Sequence, residues 1–155
     1  MTQLELSTEL RQLLADPAVK STLVTVSPAG EAHATGDAEL LWQDEAILVY
    51  REYTESSRAA QHLTYALWYD KGVSILVTLG GRHLVVRGVP FRAHVTGPLY
   101  QHEYALAQSR GADELASLWE IRITEIRDES PALLRDAERR QRPFFTHLDR
   151  VAHSV

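Results

Sequence analysis

The sequence contains no cysteine, and this absence excludes whole classes of chemistry. Disulfide bonds, thiolate nucleophiles and cysteine-ligated metals are ruled out. There is also no uncharged run near the roughly 20 residues that a membrane-spanning helix needs. The first residues, 1–6, lack the basic and apolar regions of a secretory signal. We therefore expect a cytoplasmic protein without a membrane partner.

Familiar catalytic and nucleotide-binding motifs are absent as well. The sequence has no GxGxxG after a strand, no GxxxxGKS or GxxxxGKT, no HExxH and no GxSxG. Its seven histidines are scattered, and only His94 and His102 lie near each other among polar neighbours. We therefore predict no metal site and name no catalytic residue.

The bulk composition is that of an ordinary globular protein. The chain has 155 residues, of which 45% are hydrophobic and 24% charged, and its net charge is −5. That charge argues against a nucleic-acid partner. The length fits a single domain over residues 1–155, with a C-terminal helical tail from about residue 130.

Hydrophobic periodicity predicts an alternation of helices and strands. Leu6, Leu10 and Leu13 recur at helical spacing, whereas Trp119, Ile121 and Ile123 alternate with polar residues as in a strand. The predicted helices lie at 7–15, 56–69, about 98–110 and from 130, and the predicted strands at 22–26, about 32–42, 46–50, 73–79, a long stretch after 82, and 119–126. Neighbouring strands joined by hairpins favour a mainly β fold with an antiparallel sheet, closed into a small barrel with helices packed outside.

Glycines and prolines predict where these elements turn. Gly72 is placed to end the second helix, and Gly80-Gly81 predicts a tight hairpin. Gly88 and Pro90 predict a bulge or bend in the long strand that follows. In the strand at 32–42, the even positions form a small apolar face and the odd positions a polar face.

Residues 48–63 combine features of an anion-binding site. An apolar strand runs into a turn with hydroxyls and arginines, and an amphipathic helix begins there. Helix N-termini carry unpaired N–H groups and positive potential, and guanidinium groups grip oxyanions. The candidates are Arg51, Thr54, Ser56, Ser57 and Arg58, although an ordinary helix cap beside solvated charges fits the same pattern.

The order of these elements resembles the pyridoxamine 5′-phosphate oxidase-like family of FMN-binding split barrels. The resemblance covers roughly residues 8–127 and rests on four matching segments. These are the strand–turn–strand at 22–33, the strand, serine-bearing turn and helix at 47–63, the apolar strands at 73–78 and 85–89, and the tryptophan-containing strand at 119–126.

The resemblance implies a dimeric split β-barrel with flavin mononucleotide (FMN) at the subunit interface. It implies that the second and third strands contact the flavin ring and that the following turn and helix hold the phosphate. The implied cofactor-binding residues are Ala34, Thr35, Gly36, Val49, Tyr50, Arg51, Thr54, Ser57 and Arg58. Ala59 stands where the family usually has a phosphate-binding lysine, and Arg58 precedes it.

The sequence leaves the cofactor and the substrate open. The first hypothesis is an FMN-dependent oxidoreductase that acts on a small molecule. The second is a non-catalytic ligand-binding, sensor or haem-handling module on the same scaffold, and a deazaflavin or no cofactor is a further alternative. Under the haem hypothesis the axial-ligand candidates are His33, His62, His83 and His147. The third is a purely structural dimerisation domain with interface residues Trp68, Tyr69, Phe144 and Phe145.

Overall fold

A computed structural model describes residues 1–44 and 46–142 of the chain. The described residues form a mainly β structure, as predicted. Its helices are α1 (Gln3–Ala15), α2 (Arg58–Tyr69), α3 (Pro98–Ser109) and α4 (Pro131–Gln141). Its strands are β1 (Lys20–Val26), β2 (Ala32–Thr35), β3 (Glu39–Asp44), β4 (Ile47–Glu52), β5 (Val73–Leu79), β6 (Arg82–His94) and β7 (Ser117–Asp128).

The strands form one antiparallel sheet in the order β2-β1-β5-β6-β7-β4-β3. The two edge strands, β2 and β3, are consecutive in the chain, and only residues 36–38 separate them. Because so short a connection joins opposite edges, the sheet must curl round on itself. The predicted antiparallel sheet is therefore confirmed, and its curvature is that of a split barrel.

The predicted continuous strand at 32–42 is wrong. Gly36 and Asp37 interrupt it, and Asp37 takes a left-handed conformation with φ of 50°. The break also reverses the faces of the first part, because His33 and Thr35 are half-buried whereas Ala32 and Ala34 are exposed. The alternation of small and polar residues runs across the turn, and so it concealed the break.

The core fills the concave side of the sheet. It brings together residues from α1, α2 and most strands, including Leu10, Leu23, Leu63, Ile75 and Ile121, which are essentially inaccessible to solvent. A smaller apolar cluster, which we call the α3 cluster, lies on the opposite side of β4 and β7. Its buried residues are Val49, Leu115 and Leu118, and its partly buried ones are Leu41, Tyr53, Leu99, Tyr100 and Tyr104.

Helix α2 ends at Tyr69, the last residue of the predicted range 56–69, and not at Gly72. Its C-cap is Asp70, which adopts the left-handed conformation with φ of 52°. Aspartate tolerates this conformation better than most residues because its short polar side chain can bond locally. Gly72 lies beyond the helix, immediately before β5, so the glycine assignment of the helix end is wrong.

The C-terminal helix α4 makes little contact with the body. Its apolar residues Leu133, Leu134 and Ala137 are not buried, and Leu134 is 52% exposed. Phe144 and Phe145, which were predicted as interface residues, fall outside the described residues. In the described part of the chain, no helix is both long and apolar enough to cross a bilayer.

Arg82 links helix α1 to strands β6 and β7 through hydrogen-bonded ion pairs. Its guanidinium donates to Glu9 at 2.6 and 2.8 Å and to Asp128 at 2.7 Å. Burial acts to raise the pKa of Asp128, but hydrogen bonds from Ser130 and the charge of Arg82 outweigh it and hold that pKa below its usual value. Asp128 therefore stabilises the fold in its ionised form.

The predicted bulges in β6 are confirmed. The β6–β7 register shifts between Arg87 and Gly88 and again between Pro90 and Arg92. A Cβ atom at Gly88 would lie 2.6 Å from the Ile121 side chain and 2.9 Å from the Arg122 carbonyl oxygen. Only glycine therefore fits where the two strands approach here.

We expect Gly88→Ala to lower the free energy of unfolding by about 1–3 kcal/mol, because the added methyl group overlaps fixed backbone. Urea denaturation measures the change. Gly81→Ala is the matched control, since nothing lies within 4 Å of a Cβ there. Equal effects of the two substitutions would contradict the close approach of β6 and β7.

We expect Asp128→Asn to lower the melting temperature by a few degrees at neutral pH. Because the folded-state pKa is depressed, the stabilisation by Asp128 is present above the unfolded pKa of about 3.9 and is lost as the pH falls through the folded value. Melting temperatures of both proteins between pH 7 and pH 3 measure this. The difference should shrink towards acid, and a constant difference would contradict the ionic role.

Candidate functional site

The structure places the predicted cofactor-binding residues in two regions. Thr35, Gly36, Tyr50 and Arg51 line a cavity of about 210 Å³ where β2 and β4 end, together with Asp37, Ala38, Glu39, Glu52 and Tyr53. Thr54, Ser57 and Arg58 belong to the turn after β4 and the start of α2. Ala34 is exposed on β2, and Val49 is buried in the α3 cluster.

The Thr35 hydroxyl is the most informative atom of this cavity. It is buried and makes no hydrogen bond with any described residue. A buried polar group without a partner costs about 1–3 kcal/mol, so native proteins rarely keep one without a reason. The position suits a hydrogen-bonding ligand that reaches the end of β2.

Arg51 is buried and already engaged with two carboxylates. Its Nε donates to Glu103 of α3 at 2.9 Å, its Nη2 donates to the same carboxylate, and its Nη1 lies 3.3 Å from Glu39. Burial acts to lower the pKa of Arg51, but these carboxylates raise it above its usual value. The guanidinium charge is thus offset within the protein, and the predicted phosphate contact of Arg51 stays a prediction.

Strand alternation separates Arg51 from the residues that precede and follow it. Tyr50 points into the barrel core, where α2 also packs, whereas Val49 and Arg51 face α3. Tyr50 and Arg51 therefore border the shared cavity from opposite faces of β4, and the Arg51 guanidinium turns towards α3.

The N-terminus of α2 keeps donors available for an anion. Ser57 caps the helix by accepting the Ala60 N–H at 3.0 Å, and no acidic residue occupies the first turn. The Arg58 side chain is exposed and makes no hydrogen bond or ion pair with any described residue. Ala59 is only 1% exposed and packs into the body. Arg58 is therefore the side chain that can offset a negative charge there.

Two carboxylates missed by the sequence analysis order this region. Glu52 accepts the Tyr50 hydroxyl at 2.7 Å and the Thr54 N–H at 3.0 Å, and Glu39 accepts the Tyr53 hydroxyl at 2.5 Å. Tyr50 and Glu52 lie two residues apart on one strand, so alternation alone places them on one face.

Both tyrosines of this region are held in the protonated form. Burial, reinforced by the neighbouring carboxylate, raises the pKa of Tyr50 far above its usual value and that of Tyr53 to about 12. At neutral pH the two phenols donate hydrogen bonds and do not act as bases.

The histidines considered as haem ligands lie in different settings. His62 is buried, and its Nδ1 lies 2.9 Å from the Thr25 hydroxyl. The His33 ring meets the His62 ring edge-on, with centroids 6.1 Å apart. His83 is half-buried on β6, and His147 falls outside the described residues. His94 lies on β6, and its Nε2 is 2.9 Å from Glu120 Oε1.

No family model matches the sequence, and no curated protein matches it significantly. Solved structures do share its fold. An FMN-binding protein from Syntrophomonas wolfei is 14% identical with a TM-score of 0.68. The match covers 83% of this chain and 88% of the Syntrophomonas wolfei protein. A putative pyridoxamine 5′-phosphate oxidase from Lactobacillus delbrueckii is 12% identical with a TM-score of 0.56, covering 82% and 93%.

A third similar structure is HutZ, the haem storage protein from Vibrio cholerae. It is 16% identical with a TM-score of 0.51, and the match covers 79% of this chain and 90% of HutZ. At such identities the likeness concerns the fold alone. Element order, sheet topology and these neighbours agree that the chain has the split-barrel fold of the pyridoxamine 5′-phosphate oxidase-like proteins.

Proposed function

We propose that the protein binds FMN and acts as a flavin-dependent oxidoreductase on a small molecule, as a homodimer. The observation that carries the proposal is the buried, unpartnered Thr35 hydroxyl beside a cavity at the end of β2. A flavin ring presents hydrogen-bonding nitrogen and oxygen atoms along one edge, and one of them would satisfy this hydroxyl. Gly36, without a side chain, leaves room for a flat ring to approach the backbone.

The N-terminus of α2 supplies the second half of the proposed site. Ser57 and Arg58 mark a helix start whose first N–H groups have no intrahelical partners. These groups, the helix dipole and the unpaired Arg58 guanidinium together favour a phosphate. Ala59 is buried and has no charged group. In this proposal the exposed Arg58 therefore provides the positive charge that a lysine provides in the family.

The bound flavin would supply the hydride or electron chemistry, and the protein would supply position and polarity. Tyr50 and Tyr53 stay protonated and donate to Glu52 and Glu39, so neither serves as a general base. Glu52 also receives the Thr54 N–H and thereby fixes the turn that leads into α2. No side chain of the site is assigned a proton-transfer step.

A haem-handling function is the second candidate. The observation that favours it is His33, whose half-buried ring lies on the edge strand β2 and makes no hydrogen bond with any described residue. A neutral imidazole with an available nitrogen is a haem ligand in many proteins. The fold is shared with a haem storage protein as well as with an FMN-binding protein.

We expect Thr35→Val to have opposite effects on the ligand-free and flavin-bound protein. Valine has nearly the same shape but no hydroxyl, so the free protein should gain about 1 kcal/mol because an unsatisfied buried group is removed. FMN affinity should fall roughly tenfold because a hydrogen bond to the ring is lost. Thermal denaturation with and without FMN measures both effects.

Thr22→Val is the control for that substitution, because it introduces the same residue into the neighbouring strand β1. It should change neither the FMN affinity nor the difference in stability between the ligand-free and the FMN-bound protein. A loss of stability in ligand-free Thr35→Val would show that the hydroxyl already has a partner. The proposal would then lose the unpartnered hydroxyl on which it rests.

We expect Arg58→Gln to raise the Kd for FMN roughly tenfold and to leave the Kd for riboflavin, which lacks the phosphate, unchanged. Fluorescence titration with the two flavins measures this. Arg135→Gln, an exposed arginine of α4, is the control. Equal weakening of both flavins would contradict the phosphate assignment. Wild-type protein that binds neither flavin but shifts the Soret band of added haem would favour the second candidate.

A further inference from the structure

A second and larger cavity, of about 380 Å³, adjoins the proposed flavin cavity. It lies between the segment after α1, the β2–β3 connection, β4 and the end of α3. The two cavities share the wall formed by Asp37, Ala38, Glu39 and Arg51. A volume of this size is within the range of small-molecule sites.

Five charged side chains line the larger cavity, and three of them are already engaged. Arg51 is held by Glu103 and Glu39. Glu39 in turn accepts from Arg51 and from the Tyr53 hydroxyl, and Asp16 accepts the Ala18 N–H at 2.8 Å. These three groups therefore have partners within the protein and do not depend on a ligand.

The remaining two charges are of opposite sign and have no such partners. The side chains of Asp37 and Arg110 make no hydrogen bond or ion pair with any described residue, including each other. Both residues are exposed; Asp37 lies in the left-handed turn between β2 and β3, and Arg110 is the C-cap of α3. The cavity thus presents one anionic and one cationic group on different elements.

Five apolar residues also line the larger cavity. They are Leu14, Pro17, Val19, Ala38 and Leu40. A ligand with one charged group at each end and a short aliphatic middle suits such a lining, because each end can meet an opposite charge and the methylene groups can meet carbon.

We propose that this cavity binds a small zwitterion, an ω-amino acid or a similar molecule, with its ammonium group at Asp37 and its carboxylate at Arg110. The inference goes beyond the proposed flavin chemistry, because it requires no cofactor. It also assigns functions to Arg110 and to Asp37, which lines both cavities but has no proposed contact with the flavin.

The test is isothermal titration of the full chain, without added flavin, with three probes of one carbon skeleton. These are 4-aminobutyrate, butylamine and butyrate; 6-aminohexanoate extends the series in length. We expect the zwitterion to bind at least about tenfold more tightly than either singly charged probe, because only it meets both charges. Flavin binding plays no part in this measurement, so failure of either proposal is recognisable separately.

Two substitutions should remove the preference in different ways. Asp37→Asn should bring the affinity for 4-aminobutyrate down to that for butyrate, and Arg110→Gln should bring it down to that for butylamine. Glu31→Gln and Arg92→Gln, exposed charges outside the cavity, are the matched controls and should leave the preference intact. A merely structural role for Asp37 or Arg110 would weaken all three probes alike.

The proposal is overturned if none of the amino acids binds, if the three butyl probes bind equally, or if the controls reduce the preference as much as Asp37→Asn and Arg110→Gln do. Melting temperatures of all variants, measured in parallel, show whether each is folded. A variant that fails to fold is replaced by Asp37→Ser or Arg110→Met, for which the same loss of preference is expected.

Discussion

The architecture depends on the length of one connection. Seven strands at about 4.8 Å spacing would place the outer two about 29 Å apart in a flat sheet. Three linking residues reach no more than about 14 Å. The sheet therefore has to curl until its edges nearly meet, and the apolar faces of its strands are turned inward. The positions of Thr35, Asp37 and Glu39 all follow from this closure, because they lie on or beside the connection.

A buried ion pair organises the other side of the barrel. Arg51 and Glu103 are separated by 52 residues in sequence, and their contact holds α3 against β4 beside the α3 cluster. Removing two charges from water is costly, and the pair is tolerated because several hydrogen bonds satisfy the guanidinium. The arginines of this region therefore have different roles. Arg51 maintains the wall between the two cavities, and Arg58 and Arg110 keep their charges available.

Sequence reasoning predicts those features that depend on local patterns. The alternation in β7, the glycine hairpin before β6 and the bulges at Gly88 and Pro90 were all predictable, since each depends on residues close in sequence. The split-barrel resemblance was also visible in the order of elements. Asp37 and Asp70, in contrast, adopt left-handed conformations without glycine, and no pattern of hydrophobicity marks such positions.

The candidate site was predictable only in part. The stretch containing Ser57 and Arg58 does begin a helix with unsatisfied donors, as its composition indicates. The partners of Arg51 could not be found, because Glu103 comes from a distant helix and one glutamate among many carries no distinguishing signal. The unpartnered Thr35 hydroxyl likewise depends on burial, and on this part of β2 the polar face is the more buried one, which the residue pattern does not indicate.

The closure of the sheet also limits how copies of the chain can associate. An open sheet ends in strands whose unpaired backbone groups invite another chain to add a strand. Here the edge strands are short, β2 with four residues and β3 with six, and the connection between them keeps the two edges close together. Little backbone edge is therefore left for strand addition. Among the described residues, this leaves side chains of the helices, the loops and the convex face of the sheet for association between copies, and such contacts can be changed by surface substitution without altering the barrel.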